Sequence, residues 1–597
     1  MNIDPVQTTD ASSSRHNRAG HPLISLVCTL AIVAGPVVGQ AEPSQAPKEA
    51  STVTSASGVV AADQPLASRV GASVLEKGGN AVDAGVASLM ALGVVNPMSS
   101  GLGGGGFCLY RPAETGEVKV IDFREVAPRK ATRDMFVVDG EVQQEWTVRG
   151  GKSVGIPGEP AGLWAMTHKW GELSWDKLVE PSRKLAAEGY PVHKELADRL
   201  RRDAEKLEKR PKLAAAFKEE DGSWVDEGDT LERPKLGKLL GALKTQGIEP
   251  FYHGEVAADI VETVNEHDGI FTKEDLRHYS IQMRKPVTGD YRGYKLFSMP
   301  PSSSGGTAIV ETLNIMEGFE FDGDGRSAQE LHYVVEALKH AFADRAGWLG
   351  DTDFVDVPLD RLTSEEYAEK LRKTIKKKEV LPPKAYGTKA PLPDDAGTSH
   401  LSVIDKDENM LSCTSTINLS FGSMVFVPEW GLVMNDEMGD FTPKPGEPNN
   451  YGLIGTEQNA VAPGKRPLSS MSPTIVLDEK GRPFMSVGAS GGPTIITGTF
   501  LAFINTVDFE MSPAAAITAP RLHHQWMPYK LFMEEPIAAK PTLEEFGHEV
   551  VVRPAYSNVQ MIVRSGEGEF TGVSDPRKAG SPAKPDLDDD QKKPNKK

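Results

Sequence analysis

Residues 394–422, DDAGTSHLSVIDKDENMLSCTSTINLSFG, carry hydroxyl and amide side chains that two neighbouring strands could bring together. Apolar and polar residues alternate on both sides of the polar turn 406–409, which predicts a β-hairpin. If Asp405 faces Met410, Thr398 lies opposite position 417, give or take one, so Thr416 and Asn418 flank it. The arrangement suits a nucleophile with two polar neighbours. It equally suits an ordinary hairpin whose threonines reflect strand propensity.

A second group of polar residues could hold a small molecule that carries both charges. Arg124, in VIDFREVAP, has the forked guanidinium that binds a carboxylate through two hydrogen bonds. Glu437 and Asp440, three residues apart in MNDEMGDF, could both face an ammonium group. Ser469 and Ser470, in RPLSSMSPTIV, add neutral hydrogen-bonding groups. Together these residues would form a cradle for a zwitterion.

Each part of this cradle also has a purely structural explanation. Arg124 could form an internal ion pair with Asp122 or Glu125, its neighbours in the sequence. The acidic and serine-containing segments resemble ordinary turns, in which such residues are common. Both interpretations stay open on these residues alone.

The segment VGASGGPTIITGTF offers a rival site of nucleophilic chemistry. Gly488, Ser490 and Gly492 match the GxSxG pattern of a serine-hydrolase nucleophile, in a strand–turn–helix context. The possible partners Asp508 and one of three histidines follow in the order that such enzymes use: His523, His524 and His548. Alternatively, Gly491 and Gly492 expose backbone N–H groups as an oxyanion hole for another nucleophile.

Composition and motifs exclude several classes of protein. The net charge of −18 over 597 residues would repel a nucleic-acid backbone, so no nucleic-acid partner is expected. The glycines of GLGGGGF, residues 101–107, match GxGxxG, but a strand follows them instead of a helix, so no dinucleotide cofactor is predicted. No Cys or His spacing indicates a metal site. Cys108 and Cys413 lie in apolar runs and are predicted to be small buried hydrophobic residues, not a required disulfide.

The two ends of the chain differ from its body. Residues 1–41 combine Arg15 and Arg18, an apolar core at 22–35 and a Gly39-Gln40-Ala41 cleavage site, which predicts a signal peptide and export to the periplasm or the extracellular space. An uncleaved membrane anchor is the alternative, because the leading polar stretch is long. Residues 42–57 are predicted to be a linker, and the charged tail 579–597 is predicted to be disordered.

The body of the chain contains the elements that must position these residues. Helical patterns cover residues 65–97, with a break at Gly78-Gly79-Asn80, and further helices follow SSSGG and cover residues 331–348. A hairpin is predicted at 287–297, and strands dominate after Thr398, at 401–433, 474–487 and 550–563. This order indicates a layered α/β or α+β body.

The chain resembles the γ-glutamyltransferases, or γ-glutamyltranspeptidases, of the N-terminal-nucleophile hydrolase superfamily. The resemblance runs from about residue 59 to residue 578 and rests on a series of motifs in order: GLGGGGF, IDFREVAPRKATRDMF, FTKEDLRHY, GDYRGY, MPPSSSGG, ADRAGWLGDTDFV, TSHLSVIDKDENM, MNDEMGDF, KPGEPNNYGLIG, RPLSSMSPTIV and GVSDPRK. It implies an α+β fold with four layers, an αββα sandwich. Some family members have Gln where Glu437 stands, and Thr is common at the position of Ser399.

The resemblance implies that the precursor cleaves itself between Gly397 and Thr398. The products would be a large subunit, 58–397, and a small subunit with a core at 398–578, which form a heterodimer. Thr398 would then be the nucleophile, and its new α-amine would act as its general base, since such an amine has a pKa of about 8. Thr416 would orient Thr398.

The resemblance also implies roles for the other polar residues. Arg124 would hold the α-carboxylate of the γ-glutamyl donor. The residues implied to hold its α-amine are Asn418, Glu437 and Asp440. Ser469 and Ser470 would line the pocket, and Gly491 and Gly492 would form the oxyanion hole. Residues 442–459 match a lid found in some family members, with Tyr451 as its latch.

The implied activity is γ-glutamyl transfer and glutathione hydrolysis without a cofactor. Thr398 would accept the γ-glutamyl group of glutathione or a similar compound and pass it to water, an amino acid or a dipeptide. The nearest alternative is a cephalosporin acylase of the same fold, which takes glutaryl side chains and does not need acids that bind an amine. Two more distant possibilities are a serine hydrolase using Ser490 and a secreted protein that binds peptides without catalysis.

Overall fold

The structure is a computed structural model that describes residues 49–321, 326–386, 397–554 and 557–586. The predicted signal peptide, 1–41, and residues 587–597 of the predicted tail lie outside the described residues. Within these ranges, no helix combines the length and apolar character needed to cross a membrane.

Strands make up the centre of the molecule. In chain order they are β1 Ser51–Ser55, β2 Gly58–Ala62, β3 Gly105–Arg111, β4 Lys119–Asp122, β5 Val137–Val138, β6 Glu141–Val142, β7 Tyr190–Pro191, β8 Thr230–Leu231, β9 Gln282–Arg284, β10 Val287–Tyr291, β11 Tyr294–Ser298, β12 Gly397–Asp405, β13 Met410–Asn418, β14 Phe426–Val427, β15 Leu432–Val433, β16 Thr474–Leu477, β17 Pro483–Ser490, β18 Leu522–His523, β19 Leu531–Met533, β20 Val550–Val552, β21 Asn558–Gly566 and β22 Glu569–Ser574.

Helices cover the two outer faces. In chain order they are α1 Pro65–Glu76, α2 Ala81–Val95, α3 Gln144–Val148, α4 Glu159–Trp170, α5 Trp175–Glu188, α6 Lys194–Glu208, α7 Pro211–Ala214, α8 Pro234–Gln246, α9 Glu249–Tyr252, α10 Glu255–Glu266, α11 Lys273–Arg277, α12 Gly305–Met316, α13 Ala328–Trp348, α14 Leu359–Leu362, α15 Glu365–Arg372, α16 Thr494–Val507, α17 Pro513–Thr518 and α18 Lys540–Glu545.

The predicted hairpin around Thr398 is the centre of a six-stranded antiparallel sheet with the order β2-β12-β13-β3-β4-β9. Thr398 pairs with Thr416, which lies within the one-residue tolerance of the predicted register, although Met410 faces Ile404 and not Asp405. Every residue of β12 and β13 is buried, because another layer covers each face of the hairpin. Thr398, the candidate nucleophile, therefore lies near the beginning of a strand that is buried on both faces.

A seven-stranded sheet, in the order β1-β22-β21-β17-β16-β11-β10, stacks on the first. Hydroxyl groups bridge the two layers: Ser412 donates to the carbonyl of Val487 (3.2 Å) and Ser486 donates to the carbonyl of Leu411 (2.9 Å). The sheets approach so closely that a Cβ atom at Gly488 would lie 2.2 Å from the ring of His400. This contact requires glycine at the start of the GASGG segment.

Helices pack on the outside of both sheets. α1 and α2 belong to the same apolar core as β12 and β13, and α12, α13 and α16 share the second core with the seven-stranded sheet. The predicted break between α1 and α2 is confirmed, since Asn80 caps α2 by accepting hydrogen bonds from Val82 and Asp83. The resulting four-layer αββα sandwich is the fold class that the family resemblance implied.

The two predicted flexible segments are partly ordered. Ser51–Ser55, expected to be linker, form β1 and pair with β22. The described part of the tail, 579–586, also contacts the body, since Ala583 exchanges both backbone hydrogen bonds with Val60. Composition alone could not reveal this pairing, because these polar segments are held by strands that are distant in the sequence.

The prediction for Cys108 and Cys413 is half wrong. Both side chains are fully buried, as expected, but their sulfur atoms form a disulfide. The register of β3 and β13 places the two residues directly opposite each other. Because 305 residues separate them in the sequence, only this tertiary pairing reveals the bond.

Candidate active site

Thr398 is the second residue of β12, and its hydroxyl lies within a small hydrogen-bonded group. Its Oγ1 atom lies 2.8 Å from the carbonyl oxygen of Gly397 and 3.2 Å from Oγ1 of Thr416. The Thr416 hydroxyl donates to the same carbonyl (2.7 Å) and accepts from the backbone N–H of Asn418 (2.8 Å). Two hydroxyls therefore converge on the carbonyl that precedes Thr398.

Arg124 and two acidic residues form a buried ion cluster beside Thr398. The Arg124 guanidinium binds Glu437 through Nη1 and Asp440 through Nη2 (2.5 Å). Its Nη1 atom also lies 4.0 Å from Glu125. Asp122, the other partner suggested by the sequence, instead binds Arg284 and Arg466. The two halves of the predicted cradle thus pair with each other.

The cluster contains more acids than its central cation can neutralise. Burial would lower the pKa of Arg124, but Glu437, Asp440 and Glu125 raise it above its usual range. Burial raises the pKa values of Glu437 and Asp440, and Arg124 offsets only part of that rise. Among the described residues, Oε2 of Glu437 and Oδ1 of Asp440 accept no hydrogen bond. These two buried oxygens could accept hydrogen bonds from an ammonium group.

Asn418 and Tyr451 connect this cluster to the predicted lid. The Tyr451 hydroxyl donates to Oδ1 of Asn418, and Nδ2 of Asn418 donates to the carbonyl of Asp436 (3.0 Å). Tyr451 is only 6% exposed, and its own carbonyl accepts from Gln525 (3.2 Å). Tyr451 therefore lines the cavity and connects the segment 442–459, which the family resemblance implies to be a lid, to Asn418.

Ser469 and the Gly491-Gly492 pair come from the seven-stranded side. The backbone of Ser469 bonds to Ser302 and Ser304, so the SSSGG segment before α12 holds it in place. Gly491 (φ 129°) and Gly492 (φ 56°) form the turn between β17 and α16, a conformation that glycine adopts readily. Because glycine has no side chain, this turn exposes its backbone to the cavity at Gly492.

Most of the predicted site residues line one cavity. Its polar lining consists of Arg124, Thr398, Thr416, Asn418, Glu437, Asp440, Tyr451, Ser469, Ser470 and Gly492. Gly397 and Gly491 are adjacent to lining residues in the chain. The apolar part of the wall consists of Leu453, Leu468, Met471, Pro493 and Ile495. No residue pattern predicted their place in the site, although each lies within or beside a motif that contains a predicted site residue.

Arg345 is a further residue that the sequence analysis did not single out. Its Nε atom donates to the hydroxyl of Ser304 (2.9 Å), and that hydroxyl donates to the carbonyl of Ser469 (2.7 Å). Its charge also lowers the pKa of Asp440, against the larger effect of burial. Arg345 belongs to the ADRAGW motif, which marks the family resemblance, but nothing in that motif indicated a role for the arginine at the site.

The serine-hydrolase alternative is wrong. The Ser490 hydroxyl contacts Asp63 (2.8 Å) and Lys578 (2.8 Å). The proposed acid, Asp508, accepts from Tyr291 and Arg292. Each candidate histidine has at least one ring nitrogen bonded to another residue: His523 to Thr497 and Gln525, His524 to Trp526, and His548 to His332. Ser490 instead supports the site, since Lys578 also donates to the carbonyl of Thr398 (3.2 Å).

Three buried groups outside this cavity have the chemistry of metal ligands. One atom each of His332, Glu336 and His548 lies within 4.8 Å of the others. Sequence spacing could not reveal the cluster, because His548 comes from a distant part of the chain. Lys339 donates to Glu336 (2.6 Å), as does the hydroxyl of Tyr386. An ammonium group thus already occupies the position where a cation would neutralise this carboxylate.

The chain is similar to proteins of one family over almost its whole length. A family model described as Gamma-glutamyltranspeptidase matches residues 67–584. The Glutathione hydrolase proenzyme of Escherichia coli (strain K12) is 41% identical over 526 residues, which are 87% of this chain and 90% of that protein. The Glutathione hydrolase proenzyme of Bacillus subtilis (strain 168) is 34% identical over 589 residues, covering 94% and 98%.

Solved structures share the fold. A cephalosporin acylase from Bacillus halodurans has a TM-score of 0.80 at 29% identity, covering 92% of this chain and 99% of its own. A gamma-glutamyltranspeptidase from Helicobacter pylori has a TM-score of 0.52 at 41% identity, covering 53% of this chain and 92% of its own.

Proposed function

The chain belongs to the gamma-glutamyltranspeptidase family, and we propose that it is an autoprocessed glutathione hydrolase and γ-glutamyltransferase whose nucleophile is Thr398. The observation that carries the proposal is the position of the Thr398 hydroxyl. It lies at a carbonyl that a second hydroxyl also contacts, at the edge of a cavity with an arginine and two acids. This combination supplies a nucleophile and a receptor for a zwitterion in one place.

Self-cleavage would use the contacts of Gly397. The Thr398 hydroxyl attacks the carbonyl carbon of Gly397, and the acyl group moves from nitrogen to oxygen to give an ester. Thr416 donates to the carbonyl oxygen and would stabilise the negative charge that develops there. Water then hydrolyses the ester, which leaves a carboxylate on Gly397 and a free α-amine on Thr398. The large subunit, 58–397, and the small subunit, with its core at 398–578, remain together as a heterodimer.

Turnover would use the α-amine released by that cleavage. This amine takes the proton of the Thr398 hydroxyl, which attacks the γ-carbonyl of the donor to form a γ-glutamyl ester. Backbone N–H groups at Gly491 and Gly492 would bind the oxyanion. The protonated amine returns its proton to the departing amine. Water, an amino acid or a dipeptide then takes the acyl group from Thr398.

The donor would be recognised through its α-carboxylate and α-amine. In our proposal the donor carboxylate binds Arg124, and the donor ammonium binds Asn418, Glu437 and Asp440 in exchange for part of the existing ion cluster. Ser469 and Ser470 would complete the pocket, with Tyr451 closing it. A donor that lacks the amine would leave buried acceptors without partners, at a cost of about 1–3 kcal/mol. Glutathione and other γ-glutamyl compounds satisfy both requirements.

Export is part of the same proposal. Residues 1–41 would direct the precursor to the periplasm or the extracellular space. The names of the relatives from Escherichia coli and Bacillus subtilis describe proenzymes, which supports a processed precursor here.

The test compares Thr398→Ala with Ser490→Ala. Thr398→Ala should stay one polypeptide without turnover of a γ-glutamyl anilide, whereas Ser490→Ala should still be cut. A Thr398→Ala protein that splits into two subunits would refute the proposal. A glutaryl anilide, which lacks the α-amine, separates this function from that of a cephalosporin acylase. The two buried acids predict preference for the γ-glutamyl compound.

A further inference from the structure

The disulfide between Cys108 and Cys413 lies across the proposed cleavage site. Cys108 is in β3, before Gly397, and Cys413 is in β13, after Thr398. We infer that, once the chain is cut, this bond joins the large and the small subunit covalently. The inference rests on the proposed self-cleavage, and it adds that the mature protein is a covalent heterodimer.

The sheet topology makes this link central to the mature protein. After cleavage, the hairpin β12–β13 belongs to the small subunit, while its neighbours β2 and β3 belong to the large subunit. Backbone hydrogen bonds would hold the hairpin on both sides. The disulfide adds a bond on the β3 side that dilution or denaturant cannot break. The subunit with the nucleophile therefore cannot separate from the subunit with Arg124.

The chemistry of bond formation agrees with export. Two thiols lose two protons and two electrons to a protein or small-molecule disulfide, which is reduced to a dithiol. Oxidants of this class act in the periplasm and outside the cell. The chain has three cysteines, and Cys28 lies in the predicted signal peptide, so removal of that peptide leaves only this pair. The pairing is then unambiguous.

Burial protects the bond from the substrate. Glutathione carries a thiol, and a thiolate reduces a disulfide only by direct attack on a sulfur atom. Both cysteines are 0% exposed and lie between paired strands, within the apolar core beneath α2. We therefore expect native protein to keep the link in excess glutathione, and to lose it in the same buffer once denaturant has opened the sheet.

The test is denaturing electrophoresis of purified mature protein, with free thiols first blocked by iodoacetamide. Without reductant, the protein should run as one species of the combined mass, and dithiothreitol should convert it into two subunits. Two separate subunits without reductant would overturn the covalent link and leave the proposed function intact. One species after reduction would show that the chain is not cut, and the inference would fall together with the proposed cleavage.

Cysteine variants make the assignment specific. Cys413→Ala and Cys108→Ala should each give two subunits without reductant, while Cys28→Ala should behave as the unchanged protein. If either core variant fails to fold, thiol titration of the denatured mature protein decides instead. No free thiol from Cys108 or Cys413 is expected, and two free thiols would refute the bond.

Discussion

At the scale of single residues, Glu437 and Asp440 offer buried carboxylate oxygens that can accept further hydrogen bonds. Glu437 and Asp440 share one guanidinium, and each keeps one buried oxygen without a partner among the described residues. Burial raises the pKa of both groups, so proton uptake competes with the binding of an amine. In the proposed complex, a donor ammonium would satisfy these two oxygens, whereas a proton would remove the charge that attracts it.

Asp440→Asn should reduce kcat/KM for a γ-glutamyl anilide about 10- to 100-fold, because one charged hydrogen bond to the donor amine is lost. The residual rate on a glutaryl anilide should change much less, since that donor has no amine. Glu429→Gln, which alters an exposed acid paired with Lys235, is the control and should have no effect. Equal losses on both donors would contradict the assignment of Asp440 to the amine.

Thr416 offers a second test at this scale. Thr416→Val removes the hydroxyl that contacts Gly397 and the Asn418 N–H, but keeps the shape of the side chain. Loss of that hydrogen bond should slow self-cleavage about tenfold or more, as followed by the disappearance of precursor on reducing gels. Thr416→Ser keeps the hydroxyl and should mature at nearly the normal rate. Normal maturation of the valine variant would show that Thr416 does not assist cleavage.

At the scale of elements, the Tyr451 hydroxyl connects the proposed lid, residues 442–459, to Asn418 at the end of β13. Tyr451→Phe removes the hydroxyl that bonds Asn418 and leaves the ring in place. Loss of one net hydrogen bond should raise KM for the γ-glutamyl donor about 2- to 10-fold. Tyr294→Phe removes the same hydroxyl from a tyrosine in β11 of the seven-stranded sheet, which does not line the cavity. This matched control should leave KM unchanged. An unaltered KM in Tyr451→Phe would mean that the lid does not depend on this contact.

Helix α4 gives the fold a pH dependence. Burial raises the pKa of Glu159 to about 8, and the hydrogen bond from Ser415 offsets only part of that effect. The folded state therefore binds a proton that the unfolded state releases near its ordinary pKa. Stability falls as the pH rises from about 4.5 to about 8, by about 1.4 kcal/mol per pH unit from this group.

The variant Glu159→Gln removes that dependence, because it cannot ionise. Thermal unfolding should give similar Tm values for variant and parent at pH 5 and a higher Tm for the variant at pH 8.5. Glu172→Gln, which alters an exposed acid just after the end of α4, controls for a general loss of negative charge. A Tm difference that does not change with pH would show that Glu159 ionises normally in the folded protein.

The elements differ in how far the sequence could predict them. The hairpin register followed from the turn to within one residue, because local alternation determines which residues face each other. The partners of Arg124 were separated by more than 300 residues, and local pattern favoured Asp122 and Glu125 instead. The disulfide was missed for the same reason. Residue types and spacing pointed to most of the site residues, and the family resemblance assigned their roles and added Gly397 and Tyr451. The apolar wall of the cavity had no chemical signature.

At the scale of the whole molecule, the ends of the two proposed subunits are joined. β1, in the segment just before the proposed large subunit, pairs with β22 of the proposed small subunit. Beside it, Ala583 exchanges two backbone hydrogen bonds with Val60 of β2, and Ser581 contacts Ser51 (2.9 Å). The described part of the tail therefore forms a further contact between the proposed subunits. It bonds to β2, the strand that pairs with β12 of the Thr398 hairpin.

Truncation should distinguish this part of the tail from the rest. A chain that ends at residue 578 loses both Val60 hydrogen bonds and should be less stable by about 2 kcal/mol, seen as a lower Tm of the mature protein. A chain that ends at residue 586 keeps those bonds and should match the full-length protein. Both chains retain Lys578, which contacts the Thr398 carbonyl, so kcat should stay unchanged in each. Equal Tm values for the two truncated chains would mean that residues 579–586 contribute nothing to holding the subunits together.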